Sequence, residues 1–333
     1  MPMCAILRNA TIRSQALATL AFLVVLLAEP VIGKDLTMAM SRGPVSLLVY
    51  VAEDRGFFDE EGISVRTRDC ASGRACFQML ADGTVDVATA AELLVTLNSF
   101  KRSDLAIIGT LSTSSHQIKL IARRSAGIQE AAHLRGKRIA TVVGTSAHYF
   151  LDSFLVFHAV DPKSTSVVPL PPDQLVGALQ RREVDAIIIW EPLASAAVTA
   201  LAGDALALPS PRIYTQHFSL ITNRRTIGIR EAELVRMLRA LLRAQQFIAN
   251  DPSSANAVLR SRLDVGPGLS DTYMKEHDFR IRLDQSLVTT MESERRWAVR
   301  EGQVGVGAPG NQLQFIEPSL LRKAATGTVS LPR

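Results

Sequence analysis

From Pro44 an apolar stretch, residues 45–52, runs into the polar turn Asp54-Arg55-Gly56. Phe57-Phe58-Asp59-Glu60-Glu61-Gly62 then leads to Ile63-Ser64-Val65. The alternation predicts helix, turn and strand, with Gly62 as the helix stop. Ser72-Gly73 precedes a helical period through Ala75, Met79 and Leu80, and Asp82-Gly83 turns the chain into a short strand over 85–88. Further on, Gly136 and Lys137 turn into a strand over 139–143, and Gly144-Thr145-Ser146 opens a helix over about 147–158. A strand over 167–170 follows, then Asp173 as N-cap of a helix over 174–181, and a strand over 186–190. The last third is helical, its longest amphipathic piece covering 231–250. Strands alternating with helices predict an α/β protein with mainly parallel sheets.

The unit Leu80-Ala81-Asp82-Gly83-Thr84-Val85-Asp86-Val87-Ala88 returns 99 residues later as Leu179-Gln180-Arg181-Arg182-Glu183-Val184-Asp185-Ala186-Ile187. Each copy ends a helix, turns through polar residues and enters a buried strand by way of an Asp, so two lobes reuse one unit. The apolar segments 119–122 and 218–222 bracket the second unit and read as strands crossing between lobes. Lobe one then comprises 34–121 and 222–333, and lobe two 122–221. A hinged cleft is expected between them, where small-ligand sites favour domain interfaces and the C-terminal ends of parallel strands.

The N-terminus breaks the globular pattern. Arg8 and Arg13 precede an uncharged run over 16–28, and Glu29-Pro30 ends it; Val31 and Gly33 supply small residues before Lys34. This is a signal-peptide layout over 1–33 and predicts export to the periplasm. The run is short of the roughly 20 apolar residues that span a bilayer. The chain has 333 residues, 47% hydrophobic and 21% charged, with a formal charge of +5 that the cleavage lowers by one. Its basic residues are scattered and interleaved with acids, as in Arg230-Glu231 and Glu294-Arg295-Arg296, so no nucleic-acid partner is expected. Cys4 leaves with the signal. Cys70 and Cys76 remain, either bridged in an oxidising compartment or held as buried thiols. Without nearby histidines they make a poor metal site.

Taken in order, these segments resemble the nitrate, sulfonate and taurine solute-binding family of ABC importers, which includes the thiamine-precursor (NMT1/THI5-like) proteins. The likeness covers nearly the whole mature chain. Its carriers are Ala52-Glu53-Asp54-Arg55-Gly56-Phe57-Phe58-Asp59-Glu60-Glu61-Gly62, the Gly83-to-Ala88 turn and strand, and Leu134-Arg135-Gly136-Lys137-Arg138-Ile139-Ala140 with Gly144-Thr145-Ser146. Val184-Asp185-Ala186 with Trp190-Glu191-Pro192 completes them. The resemblance implies a type II periplasmic-binding-protein fold whose lobes close over a ligand, a membrane permease as partner, and a monomer. The loop Met40-Ser41-Arg42-Gly43 departs from many relatives, so ligand identity does not carry over.

Gly144-Thr145-Ser146 offers free backbone N–H groups, hydroxyls and the positive end of a helix dipole, which suit an anion. The resemblance raises Thr145 and Ser146 to the leading ligand contacts, with His148 one turn inside as a further donor. Ser72 and Gly73 sit at the equivalent turn of lobe one and would grip the same ligand from the other side. The run Thr89-Ala90-Ala91-Glu92 either faces the cleft, with Thr89, Ala90 and Glu92 as contacts, or forms an N-cap with Glu92 as its capping-box partner. Trp190 and Glu191 put an aromatic plate and a carboxylate at the cleft rim. Glu191 calls either for an arginine partner, with Arg42 and Arg123 as candidates, or for a ligand carrying an amine.

No Ser-His-Asp order, metal-ligand cluster or phosphate loop stands out, so binding without catalysis and without a cofactor is the leading reading. A thiamine-precursor binding protein or enzyme is the first alternative, although the cysteine-rich signature of the synthases is missing. A ligand-sensing receptor protein is the second.

Overall fold

The computed structural model describes residues 35–210, 212–305 and 311–331. Residues 1–33, read above as a signal peptide, lie outside them. Beyond Asp35 the described residues belong to one compact unit, Leu36–Arg333. Among them, no helix is long and apolar enough to cross a membrane.

The chain opens with β1 (Leu36–Ser41), α1 (Leu47–Asp54), α2 (Phe57–Glu60), β2 (Val65–Cys70), α3 (Gly73–Ala81), β3 (Val87–Ala91), α4 (Leu93–Asn98) and β4 (Leu105–Ser114). It then builds β5 (Ile118–Arg123), β6 (Arg138–Thr141), α5 (Ser146–Phe157), β7 (Ser166–Pro169), α6 (Pro172–Gln180), β8 (Ala186–Trp190), α7 (Leu193–Leu201) and β9 (Ala205–Ala207). The remainder is β10 (Gln216–Asn223), α8 (Arg224–Asn250), α9 (Pro252–Leu263), α10 (Pro267–Glu276), β11 (Leu283–Asp284), α11 (Gln285–Arg300), α12 (Ser319–Ala324) and β12 (Val329–Ser330).

Two five-stranded sheets result, ordered β2-β1-β3-β10-β4 and β7-β6-β8-β5-β9. Each has three parallel strands on one side, while the two strands on the other side pair antiparallel. The sheets are therefore mixed, yet mainly parallel as expected, because only β10 in the first and β5 in the second run against the other four strands. The parallel part of each comes from the strand–helix–strand units that the periodicity marks; the antiparallel strands lie next to the crossings. The chain passes to the second sheet through residues 115–117 and returns through 208–215. Both passages precede the segments read as crossing strands, because β5 is already paired with β8 from Ile118 and β10 with β4 from Gln216.

The repeat has a physical basis. Asp86 accepts from Thr37 N (2.8 Å), and its own N–H donates to Thr37 O. Asp185 treats Arg138 in the same way, accepting from its N–H at 2.9 Å and donating to its carbonyl. In each lobe the aspartate thus locks the start of the β3 or β8 strand to the start of its neighbour, β1 or β6. The turn before it requires a left-handed residue, supplied by Gly83 (φ 69°) and by Arg182 (φ 62°).

The first core gathers β1, β3, β4, β10 and α1 together with α8 to α12; the second lies under α5, and a third under α6 and α7. Phe150, Leu151, Phe154 and Leu155 put one face of α5 into the second core. Burying each stabilises the lobe by about 1.5–3 kcal/mol. The α8 helix is longer than expected and kinks at Arg230 (φ −131°), just before the predicted 231–250 span. Asp173 is not the N-cap of α6: Pro171 holds that position and Asp173 lies in the first turn, where its charge still complements the positive end of the helix dipole. Nor does a capping box form at 89–92. Thr89 is inside β3, where it accepts from Ser41 N, and Glu92 stands at the N-cap position without a side-chain cap.

Candidate functional site

Between the two sheets lies a cavity of about 460 Å³, part of it open to solvent. Gly73 and Arg74 line it from the first lobe; Thr145 and Ser146 line it from the second. These are the N-termini of α3 and α5, each at the C-terminal end of a parallel strand. Ser72 caps α3 by accepting from Ala75 N at 3.2 Å, so the N–H groups of Gly73 and Arg74 are left for the cavity. On α5 the N–H groups of Ser146 and Ala147 likewise find no acceptor among the described residues. Opposed helix ends make one concave site a place for negative charge.

The hydroxyls are not equivalent. Thr145 Oγ1 donates to Val142 O at 2.6 Å, so its proton points away from the cavity. Ser146 Oγ accepts from Gln216 Nε2 at 2.6 Å and keeps its own proton for a ligand. Positive charge comes from Arg42 and Arg74. Arg42 Nη2 bonds Arg262 O and Arg74 Nη1 bonds Val143 O, both at 2.8 Å, and among the described residues neither has a carboxylate partner. Arg74 spans the cleft, since it starts in α3 and ends on the loop before α5. Apolar walls are supplied by Val45, Leu94 and Phe218 together with the half-buried Trp190.

Glu191 also borders the cavity, yet its carboxylate is already satisfied. Oε1 meets Lys119 Nζ at 3.0 Å and Ser195 Oγ at 2.9 Å; Oε2 accepts from Ser195 N at 3.0 Å and Tyr273 OH at 3.2 Å. Burial works to lower the Lys119 pKa, but the charges of Glu191 and Glu276 outweigh it and hold the amine above its ordinary value. Burial beside Glu191 pushes the Tyr273 phenol well up. The arginine partners proposed for Glu191 lie elsewhere: Arg123 pairs with Asp185 at 3.1 Å, and Arg42 is held by Arg262 O. A lysine takes the role because β5, antiparallel to β8, places Lys119 beside the end of that strand.

Of the residues singled out in the sequence, Arg42, Gly73, Thr145, Ser146, Trp190 and Glu191 come together around the cavity. The others stand behind it. Ala90 is fully buried beneath Gly73, where an added Cβ would come within 3.1 Å of Ala90 Cα. Glu92 is buried with Tyr214 OH at 2.9 Å and His217 N at 3.0 Å. His148 packs edge-on to Trp297 with ring centroids 5.2 Å apart, and burial lowers its pKa against the pull of Asp152. Sequence reasoning missed Arg74, Gln117 and Gln216. Arg74 follows Gly73 directly, and the two glutamines lie within two residues of the segments read as crossings, so the signal was adjacent. Cys70 and Cys76 are joined in a disulfide with Cα atoms 5.5 Å apart, closing a loop that carries Ser72, Gly73 and Arg74.

The chain is 26% identical over 166 residues to a Bacillus subtilis (strain 168) protein named for binding aliphatic sulfonates, covering 49% of each. It is 27% identical over 196 residues to the taurine-binding periplasmic protein of Escherichia coli (strain K12), covering 59% of this chain and 58% of that one. It thus spans about half the length of the curated relatives it matches. Among solved structures, the alkanesulfonate-binding protein SsuA from Xanthomonas axonopodis pv. citri bound to MOPS superposes with a TM-score of 0.75 at 16% identity, over 86% of this chain and 98% of that one. The desulfurization enzyme DSZB superposes with a TM-score of 0.64 at 16% identity, over 87% and 99%. These likenesses establish the two-lobed periplasmic-binding-protein fold. Residues 44–255, more than half of the chain, match the NMT1/THI5 like family, and the protein belongs to it.

Proposed function

We propose that the chain is the extracytoplasmic solute-binding component of an ABC importer, capturing a small organic anion of the sulfonate class between its lobes and delivering it to a membrane permease. The carrying observation is the convergence of two helix N-termini and two arginines without carboxylate partners, Arg42 and Arg74, on one cavity. Relatives named for binding aliphatic sulfonates and taurine support the class. The same fold serves a desulfurization enzyme, so the test must separate binding from turnover.

Isothermal titration and thermal unfolding of the purified mature protein with alkanesulfonates, benzenesulfonate, taurine, sulfate and nitrate provide that test. A sulfonate at 100-fold over its dissociation constant is expected to stabilise the protein by about 2.7 kcal/mol, and to be recovered unchanged. Silence toward every sulfonate would overturn the proposal. Consumption of the ligand would instead make the chain an enzyme.

A further inference from the structure

The charge balance of the cavity narrows the ligand further. We propose that the site, taken as the sulfonate site above, selects a monoanion with an apolar body and excludes ligands that also carry an ammonium group. Glu191 is the only acidic side chain among the described residues lining the cavity, and both its oxygens are engaged by Lys119, Ser195 and Tyr273. It is 1% exposed. An ammonium entering the cavity would therefore meet no free carboxylate, while Arg42, Arg74 and the two helix ends repel it. Burying a charge without a partner is strongly unfavourable, and like charges add to that.

One attraction runs the other way, because an ammonium over the Trp190 ring would gain a cation–π contact. Such a contact works best where the positive charge is otherwise unopposed. Here two arginines without carboxylate partners line the same small space, so the ring is better matched to the apolar part of a ligand whose anionic end lies on the helix termini. The inference thus runs against transferring taurine from the relative that bears its name.

Ethanesulfonate and taurine differ only in the ammonium group, which makes them the deciding pair for titration calorimetry on the mature protein. Ethanesulfonate is expected to bind at least about tenfold more tightly, and affinity should rise through butanesulfonate and benzenesulfonate as the apolar body fills the Trp190 and Phe218 side. Taurine binding as tightly as ethanesulfonate would overturn the inference. Propionate and β-alanine repeat the comparison with a carboxylate head. If every sulfonate is silent, the sulfonate reading fails, and this second pair still decides the exclusion: preference for propionate supports it, and equal binding or binding of neither overturns it. Lys119→Met would leave Glu191 without its cation and should shift the ratio toward taurine. An unchanged ratio in the folded variant would overturn the role given to this ion pair.

Discussion

At Arg182 the backbone is left-handed where the matching position of the first lobe has Gly83. A side chain there costs about 1 kcal/mol or more, partly offset because glycine loses more entropy on folding. Arg182→Gly is therefore expected to raise stability by up to about 1 kcal/mol in urea unfolding, and Gly83→Ala to lower it. Asp185, three residues after Arg182 in the same repeat, shows what the other half of the unit contributes. Burial would raise its pKa, but hydrogen bonds from the Arg138 side chain and N–H, with the charge of Arg123, outweigh burial and hold it below the ordinary value. A lowered carboxylate pKa stabilises the fold above the unfolded value near 3.9 and loses that stabilisation as pH falls through the folded value. Asp185→Asn should cost about 1–2 kcal/mol at pH 7. The gap between wild type and variant should hold down to about pH 4 and close below it; a gap that widened on acidification would refute this account.

Among the elements, the seven-residue loop closed by Cys70 and Cys76 matters most, because it contains the α3 terminus that faces the ligand. Closing so short a loop restrains the unfolded chain by roughly 2 kcal/mol in the chain-entropy estimate. In the folded protein it also fixes the turn from which Arg74 reaches Val143. Reduction should lower the thermal midpoint and weaken sulfonate binding about threefold to tenfold, with recovery on reoxidation. A reduced protein that is folded and binds at full affinity would show that Gly73 packed on Ala90 holds the turn unaided. The elements themselves were legible because each repeats a local rule: Gly62 and Gly83 stop helices, and Gly144-Thr145-Ser146 opens one. What the sequence did not display is the direction of β5 and β10, whose antiparallel pairing depends on partners far along the chain. The pairing of Lys119 with Glu191 follows from that direction, and so was hidden too.

For the molecule as a whole, the cavity matters only if the lobes can close on it, and besides the contacts of α10 with Glu191 and Lys119, three bonds bridge them around the cavity. Arg74 reaches Val143 O across the mouth, Gln216 reaches Ser146 beside the second crossing, and Trp297 Nε1 donates to Asp152 Oδ2 at 2.7 Å behind the cavity. The last fastens α5, whose N-terminus presents Ser146, to α11 of the first lobe. Only the first of these must part for a ligand to enter past the arginine, so opening is expected at the mouth while the rear contacts act as the pivot. A ligand that touches both helix termini binds the closed form better and shifts the population toward it. Small-angle scattering should then show compaction on adding saturating sulfonate. Arg74→Ala removes a charged donor worth about 1.5–3 kcal/mol and should weaken binding by about tenfold to a hundredfold, with a smaller compaction. Ser146→Ala should cost about fivefold to tenfold, because the backbone N–H groups of α5 remain. Thr145→Ala should cost less still, its proton being directed to Val142. Scattering that does not change with saturating ligand would count against a closing clamp, whatever the three substitutions do to affinity.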